Sequence, residues 1–315
     1  MRVRMQSTRP AIAAAALALH ALAFAPSAAG QDVQPPGATF TSATDLVVLH
    51  VTVIDRKRGF VSGLPREAFT VYEDHAPQEI AFFRNEESPV TVGLVIDGST
   101  SMHRKRDAVI AAGLAFARSA HPEDQLFTVH FNERVWRGLP PHQEFTSDAA
   151  ELRMALQRTT ARGKTAFFDA LADGLAHVER GRAQKKVLIV LSDGGDNASM
   201  RTFEDVLEMA RRSDTVIYTI GMNDQYDEDA DPDVLKELAR STGAEAYFPD
   251  DVSELTALLE RIARDIRSGY TIGYVPSSPS EGFHEVRVDV TSARNLTVRA
   301  RSGYVRKGDS NDGAR

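Results

Sequence analysis

The fold is decided by the stretch Pro89-Val-Thr-Val-Gly-Leu-Val-Ile-Asp97-Gly-Ser-Thr-Ser101. Its apolar part, Thr91 to Ile96, is continuous rather than alternating, which is typical of a strand buried on both faces of a sheet. The strand is followed at once by the Asp97 carboxylate and by hydroxyl side chains. The carboxyl ends of such strands are where open α/β sheets bind ligands, so this stretch predicts both a buried strand and a site.

The same pattern recurs downstream of this strand. Further compact apolar runs, each predicted to be a buried strand, are Leu126–Phe131, Val187–Leu191 and Val216–Ile220. Apolar residues at helical spacing lie between the strands and after them, within 109–117, 152–156, 168–178, 206–210, 235–239 and 252–267. This alternation predicts an α/β fold over residues 89–268, with a doubly wound, mainly parallel, Rossmann-like sheet covered by helices on both faces.

The two ends of the chain carry the alternating pattern of β-strands. Three strands are predicted on each side of the α/β layer, at 47–54, 69–72, 80–83, 270–274, 286–290 and 296–300. We expect the N-terminal β segment, 44–88, and the C-terminal β segment, 269–306, to pair into one small β-sandwich in which the α/β layer is inserted. Two separate β pieces flanking the layer are the alternative, although three strands alone would have little core.

The N-terminus has the features of a secretory signal over residues 1–30. Three arginines among the first nine residues precede an apolar run at 11–25, and small residues at 27–30 provide a cleavage site. The apolar run is shorter than the roughly 20 residues that span a bilayer, so a retained anchor is the weaker alternative. We therefore predict a secreted or periplasmic protein with no transmembrane segment in the mature chain. A linker is predicted at 31–43 and a tail at 307–315.

Composition excludes several classes of protein. The chain of 315 residues has a formal net charge of −7, no cysteine, and 42% hydrophobic residues, enough apolar content for one large or two modest domains. Without residues 1–30 the net charge becomes −10, because that segment contains three arginines and no acidic residue. The absence of cysteine excludes disulfides, thiolate metal sites and cysteine nucleophiles. The acidic balance argues against nucleic-acid binding, which depends on Lys and Arg contacts to phosphates.

Polar side chains follow further elements of the predicted layer. Gly163-Lys164-Thr165 precedes a helix, and Ser192-Asp193-Gly194 closes a buried strand. If these strands are neighbours, two carboxylates and three hydroxyls meet at one edge, from Asp97, Ser99, Ser101, Thr165 and Asp193. Oxygen donors suit a hard cation, and so few carboxylates favour Mg²⁺ or Mn²⁺ over a fully caged Ca²⁺. The neutral hydroxyls would leave the ion able to attract an outside carboxylate.

These residues carry a resemblance to a known family. The spacing Asp97-x-Ser99-x-Ser101, Thr165 in a Gly-x-Thr-x-x-x-Asp-Ala-Leu context and the Ser192-Asp193-Gly194 strand end resemble the von Willebrand factor type A domain with a complete metal-ion-dependent adhesion site. The resemblance covers about residues 89–268 and implies the doubly wound fold.

The resemblance also implies a bound Mg²⁺ ion (or Mn²⁺ or Ca²⁺) that Ser99 and Ser101 ligate directly. Thr165, Asp97 and Asp193 would complete the shell directly or through water, and an acidic residue of a partner protein would take the open position.

Three short runs outside the layer are similar to a bacterial secreted subgroup of such proteins: 61–64, 74–80 and 303–304. Two residues depart from the family pattern. Gly98 stands where many relatives carry a bulkier residue, with no expected effect on ligation. The Lys164 ammonium would either discourage a cation or point outward to meet the partner's carboxylate.

The individual motifs have simpler interpretations. Asp97, Ser101 and Thr165 would also suit helix caps, and only their combination with Asp193 favours a metal. Asp169 is expected to be a first-turn charge on its helix, with a supporting role at the site as the alternative.

Two other binding motifs are excluded by single residues. Aspartates at 227, 229 and 231 mimic a calcium loop, but Pro232 and Leu238 occupy the positions that need Gly and Glu, so a solvated loop is expected. A nucleotide-binding loop before Thr165 would need glycine where Arg158 stands.

The sequence therefore predicts a secreted, non-catalytic adhesion or assembly module that binds a protein partner through a divalent metal. The alternative is a metal-dependent hydrolase of phosphatase type, because Asp97-Gly98-Ser99-Thr100 loosely resembles an aspartyl-phosphate loop. That chemistry wants a second carboxylate at the position of Ser99, so it is the weaker hypothesis.

Overall fold

The structure is a computed structural model that describes residues 46–55, 57, 59–85, 88–222, 230–278, 280–291 and 296–306. The described residues belong to one compact unit that begins at Thr44. The predicted signal, linker and tail lie outside the described residues. Within the described part of the chain, no helix combines the length and the apolar character needed to cross a membrane.

The described elements are numbered in chain order. The strands are β1 (Val47–Asp55), β2 (Gly59–Phe60), β3 (Phe69–Glu73), β4 (Ala76–Gln78), β5 (Ile80–Arg84), β6 (Val90–Asp97), β7 (Gln125–Phe131), β8 (Val135–Arg137), β9 (Lys185–Ser192), β10 (Val216–Gly221), β11 (Ala246–Tyr247), β12 (Tyr270–Tyr274), β13 (Gly282–Val290), β14 (Leu296–Arg299) and β15 (Gly303–Arg306). The helices are α1 (Arg106–Arg118), α2 (Ala149–Leu156), α3 (Phe167–Val178), α4 (Phe203–Arg212), α5 (Pro232–Thr242) and α6 (Leu255–Ser268).

The central sheet has the strand order β11-β10-β9-β6-β7-β8. Its strand pairs are parallel except that β8 runs antiparallel to β7. The chain passes from β6 to β7 on one side and later returns to β9 on the other side of β6. The β6–β9 boundary is therefore a topological switch point, and the carboxyl ends of the strands at such a point are where open α/β sheets bind ligands.

Helices cover both faces of this sheet. On one face, Leu94 and Ile96 of β6 lie in a cluster with apolar residues of α1, α2 and α6. On the other face, Val95 belongs to a cluster with residues of α3, α4 and α5. Because β6 alternates between two cores, its sequence has to be continuously apolar, and the predicted doubly wound α/β fold is confirmed.

The remaining strands form two antiparallel sheets. One has the order β14-β1-β12-β5, with β2 added beside β1, and the other has the order β15-β13-β3-β4. Strand β1 pairs with β12 through Val51 and Tyr270 and with β14 through Val53 and Val298. Each sheet therefore combines strands from both ends of the chain, and the two sheets share one apolar core. We call these two sheets the sandwich.

Several short strands were not anticipated from the sequence. Strands β4, β8, β11 and β15 have only two to four residues each, too few for a periodic pattern to be visible. The turn between β3 and β4 is confined to Asp74 and His75, whose φ angles are 47° and 69°. Two consecutive left-handed residues are the conformation of a tight hairpin turn, so the chain continues into β4 without a longer loop.

Candidate metal centre

The site is built on the carboxyl ends of β6 and β9. Asp97 is the last residue of β6 and Ser192 the last of β9, and the Ile96–Leu191 pair sets their register. The Asp97 side chain is 0% exposed. Its Oδ2 accepts a hydrogen bond of 2.8 Å from the Ser192 hydroxyl, and its Oδ1 accepts one of 2.8 Å from the Ser99 N–H. Both oxygens of this carboxylate are therefore held in place.

A chain of side-chain hydrogen bonds leads from this strand to the next. The Ser99 and Ser101 Oγ atoms lie 3.0 Å apart, and the Ser101 hydroxyl donates to Asp193 Oδ2 at 2.7 Å. Asp193 Oδ1 accepts from the Gly195 N–H at 3.1 Å. Four of the five predicted ligands, Asp97, Ser99, Ser101 and Asp193, are thus brought together.

The fifth predicted ligand, Thr165, lies on the loop between α2 and α3. Two hydrogen bonds tie this loop to the one after β6, because the Gly163 N–H donates to Thr100 Oγ1 at 3.1 Å and that hydroxyl donates to the Gly163 carbonyl at 3.2 Å. The Thr165 backbone is clamped by Asn197, which accepts from its N–H at 2.9 Å and donates to its carbonyl at 3.0 Å. The Thr165 loop is therefore fixed between the loops after β6 and β9.

The electrostatics of the site favour a cation. Burial raises the pKa of Asp97 to about 6, and the negative charge of Asp193 adds to the rise. Hydrogen bonds from Ser99 and Ser192 act in the opposite direction. A positive ion between the two carboxylates would relieve their repulsion and favour the ionised form of Asp97. Because all five side chains offer oxygen, the set fits a hard divalent cation.

Comparison with models of known protein families shows which family the chain belongs to. Residues 92–261, more than half of the sequence, match the model of the von Willebrand factor type A domain. The chain belongs to this family. A comparison with curated proteins found no match.

Solved structures share the fold of the type A domain. A von Willebrand factor type A protein from Catenulispora acidiphila is 15% identical, with a TM-score of 0.52 over 86% of this chain and 76% of the other. Proximal thread matrix protein 1 from the mussel byssus is 18% identical, with a TM-score of 0.51 over 62% of this chain and 51% of the other. The corresponding domain of the type V pili tip protein Mfa5 from Porphyromonas gingivalis is 17% identical, with a TM-score of 0.49 over 57% and 95%. At these identities the likeness concerns the fold alone.

The structure gives a reason for glycine at position 98 of this type A domain. A Cβ atom there would lie 3.0 Å from Thr160 Oγ1 and 3.1 Å from the Phe131 carbonyl, so a bulkier residue would need its neighbours to move. The Gly98 N–H also donates to the Phe131 carbonyl at 2.6 Å. Lys164 is exposed, so of its two expected placements the structure favours the one in solvent.

The site residues do not cap the helices that follow them, α1 and α3. The residues at the N-caps of α1 and α3 are Lys105 and Ala166, and neither makes a side-chain capping bond. The first turn of α3 instead receives its acceptors from the loop after β9, where Asp196 accepts from the Phe168 N–H at 3.1 Å. The hydroxyls and carboxylates of the site are therefore not used for capping these helices.

Asp169 has a more specific role than a first-turn charge. It does lie in the first turn of α3, but it also accepts hydrogen bonds of 3.0 Å from the Met200 N–H and from the Arg201 guanidinium. It braces the same loop that holds Thr165. The expected solvated loop with three aspartates falls largely outside the described residues; Asp231 is described, and it caps α5 by accepting from the Asp233 N–H at 3.1 Å.

Two positioning residues were missed by sequence reasoning. Ser192 orients Asp97, and its only signal was its place directly before Asp193. Asn197 holds the backbone of Thr165, and no spacing rule pointed to it. Both act through a neighbouring residue on another strand or loop, which a linear motif does not reveal.

Proposed function

We propose that this type A domain protein is a non-catalytic, extracytoplasmic module that captures a protein partner through a divalent cation. Asp97, Ser99, Ser101, Thr165 and Asp193 would hold Mg²⁺, or Mn²⁺ or Ca²⁺ in its place. The ion would supply a positive centre for an acidic side chain of the partner.

The observation that carries the proposal is the chain of hydrogen bonds from the Asp97 carboxylate to the Ser99 N–H, and from the Ser99 hydroxyl through Ser101 to Asp193. Asp193 is separated from the other three by more than ninety residues in the sequence, but all four lie at the carboxyl edge of the sheet, at its switch point. Hydroxyl groups leave more of an ion's charge uncompensated than carboxylates do. Such an ion retains an attraction for an outside carboxylate.

Two features support a binding role over phosphatase-type hydrolysis. Asp97 is fully buried and both of its oxygens accept hydrogen bonds, whereas a nucleophilic carboxylate needs an oxygen open to the substrate. The hydroxyl of Ser99 also stands where an acid–base carboxylate would be needed. The extracytoplasmic location is supported by the signal pattern of residues 1–30, and membership of the bacterial secreted subgroup by the flanking runs.

Calorimetric titration of Mg²⁺ and Mn²⁺ into the full chain tests the metal site. We expect one Mg²⁺ ion to bind, and Ser99→Ala or Thr165→Ala to weaken Mg²⁺ binding by at least about tenfold with an unchanged circular dichroism spectrum. Ser147→Ala is the matched control, because Ser147 is exposed and lies near the amino end of β7, away from the carboxyl edge. Equal affinity in all four proteins would refute the assignment of ligands.

Partner capture is tested separately by pull-down from the native extract. Capture should occur in Mg²⁺, be lost in chelator and be lost with Ser99→Ala. A partner held equally well in chelator would contradict a metal-mediated contact even if the ion binds.

A further inference from the structure

A second group of metal-ligating side chains lies in the sandwich. Glu73 is the last residue of β3, Asp74 begins the turn to β4, and His284 lies on the neighbouring strand β13. One ligand atom from each lies within 4.8 Å of the other two. None of these residues belongs to the site on the central sheet.

The His284 ring is oriented with one nitrogen toward this centre. Its Nε2 lies 2.9 Å from the Ser280 carbonyl, which fixes a proton on Nε2. Its Nδ1 lies 2.7 Å from Asp74 Oδ2. The other oxygen of Asp74 accepts a hydrogen bond of 2.9 Å from the Glu285 N–H. An imidazole whose Nε2–H is bonded to a carbonyl has the tautomer needed for a metal ion at Nδ1.

Glu73 is held in the same manner although it is only 2% exposed. Its Oε2 accepts hydrogen bonds from the hydroxyls of Tyr274 at 2.6 Å and Tyr304 at 3.0 Å. Its Oε1 lies 3.8 Å from His284 Nδ1, beyond hydrogen-bond length. Each of the three side chains therefore has one polar atom held by a neighbour and the other directed to a common centre.

We infer that Glu73, Asp74 and His284 form a site for a divalent transition metal, with Zn²⁺ as the best match. Zn²⁺ binds imidazole nitrogen and carboxylate oxygen at roughly 2.0–2.2 Å, which places tetrahedral ligand atoms about 3.3–3.6 Å apart. The Glu73–His284 separation of 3.8 Å has to shorten by only a few tenths of an ångström to reach this range. The Asp74–His284 separation has to widen by less than about 1 Å as the ion replaces the proton between the two atoms.

The surroundings suit ion entry and a structural role. The Asp74 side chain is 52% exposed and lies on a turn, so an ion can reach the centre from solvent and a water molecule can be the fourth ligand. Glu73 and His284 are buried on strands from opposite ends of the sequence. A bound ion would cross-link the first and last parts of the sandwich. The imidazole donor distinguishes this site from the all-oxygen site on the central sheet.

The test is titration of the untagged full chain with Co²⁺, a spectroscopic substitute for Zn²⁺, followed by displacement with Zn²⁺. A Ser99→Ala background weakens the competing site on the central sheet. We expect one equivalent to give visible absorption bands of a four-coordinate ion and Zn²⁺ to raise the midpoint of thermal unfolding. Asp74→Asn and His284→Gln should each weaken binding by at least about tenfold and abolish the thermal shift.

His142→Ala is the matched control, since His142 is exposed and lies outside the cluster. If His284→Gln does not fold, Asp74→Asn decides the question, because it changes an exposed turn and keeps the side-chain shape. The proposal is overturned if the starting protein shows no such bands, or if both cluster variants bind as it does. Either result would mean that the three side chains form an ion-pair cluster only.

Discussion

The central layer and the sandwich handle buried polar groups in different ways. In the layer, polar side chains gather where β6 and β9 end, and loops from several strands contribute to one open edge. In the sandwich, the Glu73 carboxylate lies in the core and is satisfied by two tyrosine hydroxyls. A parallel sheet brings all its carboxyl ends to one edge, which makes that edge a natural site. An antiparallel sandwich has no such edge, so each buried polar group needs dedicated partners.

The two regions are joined by a buried ion cluster. Arg299 of β14 donates to Asp265 of α6 and to Glu245, each at 2.8 Å. Asp265 is 0% exposed, whereas the Glu245 side chain is 42% exposed. Arg301 makes a similar link to Asp214 at 2.8 Å. The layer and the sandwich therefore share charged contacts as well as covalent connections.

Removing the arginine of this buried ion cluster should have the largest effect on the free energy of unfolding. Arg299→Met would leave the buried Asp265 carboxylate without its guanidinium partner, and we expect a loss of about 3–5 kcal/mol in the free energy of unfolding. Glu245→Gln should cost less than about 1 kcal/mol, because that carboxylate is partly solvated. Urea unfolding followed by fluorescence of Trp136, the single tryptophan, measures the layer. Near-UV dichroism of the tyrosines, most of which lie in the sandwich, reports mainly on that region. Similar small costs for both variants would show that the two regions are not coupled through Asp265.

The pH dependence of stability distinguishes the two regions, because each contains a deeply buried histidine. Burial lowers the pKa of His50 in the sandwich and of His130 in the layer to about 3, from 6.5. Below pH 6.5 the unfolded chain binds a proton at each position and the native protein does not. Above pH 6.5 these two histidines therefore cause no pH dependence of the free energy of unfolding. As the pH falls from 6.5 toward 3, the free energy of unfolding decreases by about 1.4 kcal/mol per pH unit for each histidine.

His50→Leu isolates the sandwich contribution. Among the described residues His50 Nε2 is buried without a hydrogen-bond partner, so leucine should be tolerated at neutral pH. Urea unfolding at several pH values from about 7 to 4 should show a slope shallower by about 1.4 kcal/mol per pH unit. An unchanged slope would mean that His50 does not resist protonation in the native protein.

The smallest expected effect concerns a single hydroxyl in the layer. Ser192→Ala removes the hydrogen bond to Asp97 Oδ2, and we expect about 1 kcal/mol of lost stability and roughly tenfold weaker Mg²⁺ binding. Ser147→Ala again provides the control. If Mg²⁺ affinity falls for Ser99→Ala but not for Ser192→Ala, the orientation of Asp97 does not depend on Ser192.

The architecture of the layer was predictable because its strands are buried on both faces. Continuous apolar runs marked β6, β7, β9 and β10, and polar residues directly after two of them marked the site edge. The short strand β8 was missed because three residues show no period. Ser192 is part of the Ser192-Asp193-Gly194 motif, but its contact with Asp97 depends on the order of the strands in the sheet, which a single sequence does not specify.

The cluster of Glu73, Asp74 and His284 could not be predicted from the sequence, for a different reason. Glu73 and His284 are separated by more than two hundred residues, and each lies on the buried face of its strand just beyond the apolar residues that predicted the strand, after Val71 and before Val286. Only the pairing of β3 with β13 brings them together. The alternating pattern of a strand specifies which of its side chains face the core, but it does not specify which distant strand becomes its neighbour.

The double pairing of β1 has a consequence for how the protein is made. During synthesis β1 leaves the ribosome early, but its neighbours β12 and β14 are translated more than two hundred residues later. Closing so long a loop is slow, so the inserted layer can fold before β1 pairs with β12 and β14. A nascent or truncated chain that lacks the final strands therefore presents an apolar strand edge, which exposes it to aggregation until those strands are made.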